Sequence, residues 1–191
     1  MRKSAILQFM AFLPVLCGCA PFTVPANVQV HRPAASQLVP LRAALYLPQQ
    51  FKSYVFIWNK GGQPIRILIG DALVAGAEQS MREVFKEVVI VDDLNLDLSA
   101  RNFYIIISPE IVEIDNRVNG FGWDSLVASK WTIKGQDGRL LYVNTVTGKG
   151  QYKAFTTAFS LREHLVKSMI PAVEDHYNKL TAHLLSMKWW N

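Results

Sequence analysis

The chain has 191 residues, half of them apolar and 11% aromatic, with a net charge of +5. That apolar content excludes a disordered chain and is enough for one domain with its own core. The 20 Lys and Arg residues are scattered, with no basic run that would track a phosphate backbone, so no nucleic-acid partner is expected.

The first residues read differently from the rest. Met1-Arg2-Lys3 is a short positive start, Ala5 to Leu16 is apolar, and small residues follow. A bilayer span takes about 20 apolar residues, so this run is too short to be one. It has the layout of a secretory signal peptide. No other segment is apolar enough to span a membrane. Prolines then recur at Pro21, Pro25, Pro33 and Pro40 with few large apolar residues. This reads as an extended tether over 19–42, reaching roughly 70 Å at full stretch. Val28, Val30, Leu38 and Val39 keep open an arm packed on the domain.

The globular part is expected to be a single domain over 43–191. Ala43–Leu47 and Tyr54–Trp58 are short strand patterns, and Pro64–Ile69 is extended up to Gly70. Asp71 to Val88 is the clearest helix, with Leu73, Ala77, Met81, Val84, Phe85 and Val88 at steps of three and four. Val88–Val91 is a short strand signal, and Asp92–Asp97 an acidic loop. Phe103–Ile107 is nearly all apolar, as in a central strand covered on both faces, and it continues through Ile111–Asp115. Trp123–Ile133 and Arg139–Val146 flank Gly135-Gln136-Asp137-Gly138 and form a long hairpin. Trp123, Val127, Trp131 and Ile133 share one of its faces. Ser160-Leu161-Arg162-Glu163 is a capping-box pattern opening a long C-terminal helix, which Pro171 should kink or split. This order gives an α+β two-layer sandwich, a largely antiparallel sheet packed by two main helices.

Few residues suggest chemistry. No G-x-S-x-G elbow is present. His176 and His183 share a helix face beside Glu174 and Asp175, but the spacing lacks the tight three- or four-ligand cluster of a zinc site. No metal or cofactor is expected. Asp92, Asp93, Asp97 and Asp115 could pair for acid–base work, although a solubilising acidic turn explains the loop residues. Glu110 and Glu113 could line a surface groove. Asp71 reads as a helix N-cap or first-turn acid. Trp123, after Gly120-Phe121-Gly122, could be a partner contact or part of the core. Trp189 and Trp190, adjacent in the tail, could dock on the domain, on a partner subunit or at a membrane interface.

Leu16-Cys17-Gly18-Cys19 resembles the lipobox of bacterial lipoproteins, with the n-region and apolar run at the matching distances. The resemblance implies cleavage between Gly18 and Cys19, removal of residues 1–18 as signal peptide, and acylation of Cys19, with palmitate among the chains. It also implies that Ala20, which is not Asp, sends the protein to the outer membrane, lipid-anchored and facing the periplasm. The layout of residues 43–186 is similar to YajG-type lipoproteins and to PelC- and CsgG-type accessory proteins of polysaccharide and curli export. Ile69-Gly70-Asp71-Ala72-Leu73 with its helix, the following strand, the paired long strands and the C-terminal helix carry that similarity. What it implies is a non-enzymatic scaffold or accessory subunit of an envelope assembly or export complex, held by lipid and self-associating or bound to envelope proteins. The alternative is a periplasmic binding module for lipid, glycan or peptidoglycan, or an activator of a cell-wall synthase.

Overall fold

A computed structural model describes residues 21–34, 36–60, 62, 64–120, 122–153 and 160–187. In chain order the elements are β1 (Phe22–Thr23), β2 (Val39–Tyr46), α1 (Gln49–Lys52), β3 (Val55–Trp58), β4 (Ile65–Leu68), α2 (Gly70–Val84), β5 (Phe85–Val91), β6 (Ile105–Asn119), β7 (Gly122–Gly135), β8 (Leu140–Lys153) and α3 (Leu161–Ser186). The fold is α+β. Five strands form one sheet in the order β5-β2-β6-β7-β8, and β1-β4-β3 form a small second sheet.

The main sheet has two halves. β6, β7 and β8 are antiparallel, paired from Ile105↔Gly135 to Asn119↔Gly122 and from Lys134↔Leu140 to Gly122↔Lys153. On the other side, β5-β2-β6 is parallel. The antiparallel order expected from the hairpin pattern therefore stops at β6. The chain between β2 and β5 runs through β3, β4 and α2, and a crossover of that length returns a strand parallel to its neighbour.

β6 is the central strand. Ile105 and Ile107 enter the main core, while Ile106 points the opposite way into a second cluster with Ala44, Val91, Leu98 and Phe103. The alternation read in β7 holds, with Trp131 and Ile133 fully buried and Val127 nearly so. The helix expected to reach Val88 ends at Val84, and Phe85 opens β5 with no linker. Val88 to Val91 pair with β2 from Ala43 to Tyr46, and β-branched residues suit that pleated ladder better than another helical turn. The capping box of α3 forms as read: the Ser160 side chain accepts from the Glu163 N–H while the Glu163 carboxylate accepts from the Ser160 N–H. The helix runs through Pro171 without splitting. Proline deletes one backbone bond there, but Ser168 and Met169 before it and Ala172 and Val173 after it are buried, so packing holds both halves in line.

Residues 21–42 do not stand clear of the domain, and the tether reading is corrected. β1 pairs with β4, Val24, Val28 and Val30 are buried, and β2 starts at Val39 rather than Ala43. Apolar valines spaced along the arm favour burial over an extended solvated path.

The core is centred on Trp131. Phe51 of α1 meets it edge-on at 6.5 Å between ring centroids, and Tyr177 of α3 does the same at 6.3 Å. Tyr177 continues to α2, where its hydroxyl donates to the Leu73 carbonyl at 2.6 Å. Gly76 makes room for the ring, since a Cβ there would fall 2.2 Å from it. On the other flank α3 lies directly on the backbone of β8. A Cβ at Gly148 would be 2.1 Å from the Ala172 carbonyl oxygen, and one at Gly150 would be 2.4 Å from the Ser168 carbonyl oxygen.

Overpacking a filled site costs about 1–3 kcal/mol, and here the clash is with backbone. Gly148→Ala and Gly150→Ala should each lower the urea midpoint by that order, with little change in the denaturant slope. Gly62→Ala and Gly120→Ala meet no atom within 4 Å but sit at positive φ, and should cost less, about 1 kcal/mol.

Candidate functional site

The arm sets the geometry of one end of the molecule. After β1 it lies against α2 and α3. Gln29 N–H donates to the Glu174 carboxylate at 3.3 Å, His31 N–H to Asn178 Oδ1 at 2.7 Å, and Gln79 Nε2 to the Val30 carbonyl at 3.2 Å. Arg32 faces Glu83 at 3.7 Å.

β1 runs parallel to β4, with Phe22 beside Ile67. Backwards along the chain, the arm therefore heads toward Ile65 and its partner Trp58. Trp58 lies 6.0 Å from Trp123, at the start of β7, and Trp123 stacks on His164 in the first turn of α3 at 6.1 Å. Tyr152, near the end of β8, is 5.5 Å from His164, and the Arg162 guanidinium sits 5.2 Å over the Phe22 ring. The arm's start, the β6–β7 turn, the end of β8 and the N-terminus of α3 thus share one end. The turn into β8 and the C-terminal end of α3 share the other, where Tyr142 is 5.6 Å from His183.

The sequence candidates distribute as follows. Cys19, Trp189 and Trp190 lie outside the described residues. Trp123 is buried at 8% exposure, so its ring serves the aromatic cluster and presents little surface to a partner. His176 and His183 share a helix but not a site: His176 meets Ser129 Oγ at 2.9 Å inside the core, whereas His183 packs on Tyr142. Asp97 is a loop organiser that accepts from the Ser99 hydroxyl and from the Ser99 and Ala100 N–H groups. The Ala100 N–H, then the Ser99 hydroxyl, hold its carboxyl below the usual range. Asp92 faces Lys52 at 3.9 Å. Asp115 is on β6: partial burial pushes its carboxyl up, but Arg117, the Asn116 N–H and Lys60 outweigh that and hold it low. Glu110 pairs with Lys130 at 3.0 Å across the β6–β7 ladder. The loop acids and Asp115 are engaged with different partners. Among the described residues no three His, Cys, Asp or Glu side chains gather to hold a metal.

A polar seam beneath α3 was not read from the sequence. Asn116 Nδ2 donates to Ser125 Oγ and, at 2.7 Å, to Ser168 Oγ; Ser168 is bonded to the Leu165 carbonyl at 3.0 Å. Further along, His176 Nε2 faces Ser129 Oγ, with Trp131 Nε1 at 3.5 Å. Ser125 and Ser129 alternate with Trp123, Val127 and Trp131 on the same strand face, which was the available signal. On the opposite face of the sheet, Asp115, Arg117, Asp124, Leu126, Lys149 and Gln151 line an open recess of about 330 Å³.

No protein-family model matches the chain, and no curated sequence does. Among solved structures, the chain is similar to a minor lipoprotein from Acinetobacter baumannii, with 14% identity, a TM-score of 0.46, and coverage of 78% of this chain and 94% of that one. It is also similar to PelC from Paraburkholderia phytofirmans, described as a dodecamer, with 10% identity, a TM-score of 0.40, and coverage of 78% and 94%. A third is lipoprotein GNA1162 from Neisseria meningitidis, with 8% identity, a TM-score of 0.31, and coverage of 68% and 95%. At these values the overlaps are partial likenesses of layout.

Burial lowers the His176 imidazole from 6.5 to about 4, against the opposing pull of the Val127 and Val146 carbonyls and Asp175. Above pH 6.5 the ring is neutral both folded and unfolded. As pH falls below 6.5 the unfolded chain takes up a proton that the buried ring refuses until about pH 4. Stability is therefore lost between those limits, by roughly 3 kcal/mol in all. Urea unfolding at pH 7 and pH 4.5 should show a smaller acid loss in His176→Gln than in the parent.

Proposed function

We propose that this chain is a lipid-anchored envelope protein that works as a non-enzymatic scaffold or accessory subunit of an assembly or export complex at the outer membrane. The observation that carries this reading is Leu16-Cys17-Gly18-Cys19 behind a positive start and a short apolar run. Two or more acyl chains on Cys19 would give stable attachment where one does not. Among the described residues no helix is long and apolar enough to cross a membrane, so the lipid is the attachment the reading needs.

The scaffold part rests on the shape of the domain. Asn116, Ser125 and Ser168 bond to one another under α3, and Asp115, Glu110 and Asp92 each sit in a surface ion pair. Among the described residues the five-stranded sheet ends in two unpaired edges, β5 and β8. β8 is 14 residues long and exposes Leu140, Leu141 and Val143. Long edges with apolar side chains are templates for strand addition by another chain. The second reading, a binding module, is favoured by the recess around Asp115, Arg117, Asp124 and Lys149, which offers charges of both signs to a polar ligand such as a glycan.

Two measurements separate these elements. Cys19→Ala should move the protein from the membrane fraction to the soluble fraction, and intact mass should lose the acyl chains. Fractionation unchanged from the parent would sink the anchor. Light scattering on protein starting at Cys19 should give a mass well above one protomer. A strict monomer would remove the scaffold reading and leave the binding module.

A further inference from the structure

We propose that the domain stands end-on against an anionic phospholipid surface, with Lys60 after β3, Gly120 and Gly122 between β6 and β7, and the N-terminus of α3 facing the headgroups. The proposal rests on Cys19 being the anchor, and adds which face of the protein that anchor presents.

The reach of the chain brings one end of the domain to the lipid. Every part of the arm from Phe22 to Arg32 is spent on the domain, through β1 pairing, three buried valines and the bonds to α2 and α3. Only Cys19 to Phe22 remains to bridge protein and lipid. Three residues span at most about 10 Å, and the headgroup layer itself is roughly 5–8 Å deep. The end that holds Phe22 is therefore at the membrane surface, with no slack for the domain to swing away.

The charge of that end suits an anionic surface. At this end the solvent-facing groups include Lys60, with a side chain 62% exposed, and Arg117, at 71%. Arg66 is exposed on β4 and Lys153 ends β8, opposite Gly122. Arg162 stands over Phe22. Lys167 lies 5.5 Å over the Tyr152 ring. Six basic groups thus face Asp115, Asp124 and Glu163, an excess of three positive charges within about a Debye length of the lipid. Anionic headgroups complement that excess.

The direction of α3 follows. It runs antiparallel to β8, from His164 beside Tyr152 to His183 beside Tyr142. Its 26 residues carry the chain about 40 Å from the anchored end. Met187, the last described residue, is on the side away from the lipid.

The test supplies the anchor chemically, so it does not depend on acylation in the cell. Among the described residues the buried core lies between Val24 and Leu184, so protein from Cys19 onward keeps every described core residue. With Cys17 gone, Cys19 is its single thiol and can be coupled to a maleimide lipid in vesicles of phosphatidylethanolamine and phosphatidylglycerol. Lysine acylation read by mass spectrometry should slow several-fold at Lys60 and Lys153 relative to uncoupled protein, and stay unchanged at Lys86 and Lys134. Raising the salt, replacing phosphatidylglycerol with phosphatidylcholine, or introducing Arg66→Glu with Arg117→Glu should each relieve at least half of that slowing. Equal slowing at all four lysines, slowing only at Lys86 and Lys134, or no slowing would overturn the orientation. Slowing that salt and lipid charge leave untouched would overturn the anionic surface. None of these outcomes bears on Cys19 acylation, which the Cys19→Ala fractionation decides.

Discussion

The contact on which the rest of the structure depends is the seat of α3 on the backbone of β8. Glycine at 148 and 150 lets the helix come within a distance that no Cβ could share. From that seat the helix reaches down to the sheet with Ser168 and His176, and sideways to α2 with Tyr177. The Tyr177 ring lies over Gly76, and its hydroxyl ends on the Leu73 carbonyl. Close approach strengthens dispersion contacts and removes water from both helix flanks. It also explains why Asn116 Nδ2, Ser125 Oγ and Ser168 Oγ pair beneath the helix, since a buried donor left alone costs about 1–3 kcal/mol.

The helix pair in turn makes the surface on which the N-terminal arm lies. Glu174 and Asn178 of α3, with Gln79 and Glu83 of α2, hold the arm from both sides. A segment rich in proline, with fixed φ values and missing donors, loses less entropy on docking than a flexible one would. The valines between the prolines provide the buried area. A stretch that by composition looks like a spacer is therefore a strap on the domain, and Phe22 is tied to one end of it.

Much of the fold was legible in local pattern. The two long helices, the β7–β8 hairpin with its Gly-Asp turn and the buried centre of β6 all follow from spacing, because one face of each must be dry. The α3 capping box was readable because Ser160 and Glu163 act within one turn. The parallel half of the sheet was not legible. Which strand lies beside β2 depends on a crossover through α2, and no run of residues records that. The abrupt change from α2 to β5 was missed for a related reason: Phe85 and Val88 continue the helical spacing, and only the ladder with β2 outweighs it.

The sequence by itself determined the two main helices, the long hairpin, their core faces and the lipobox-like start, since each is written in a few neighbouring residues. Tertiary structure alone decided that Trp123 is core, that the candidate acids and histidines have different partners, and that the proline-rich segment is packed. It also decided that Phe22 shares an end with Arg162 and the β6–β7 turn. Apart from the local partners of Asp97 and Asp115, these are contacts between residues tens to more than a hundred positions apart. They depend on how faces are brought together, and the local periodicity of a chain carries no information about that.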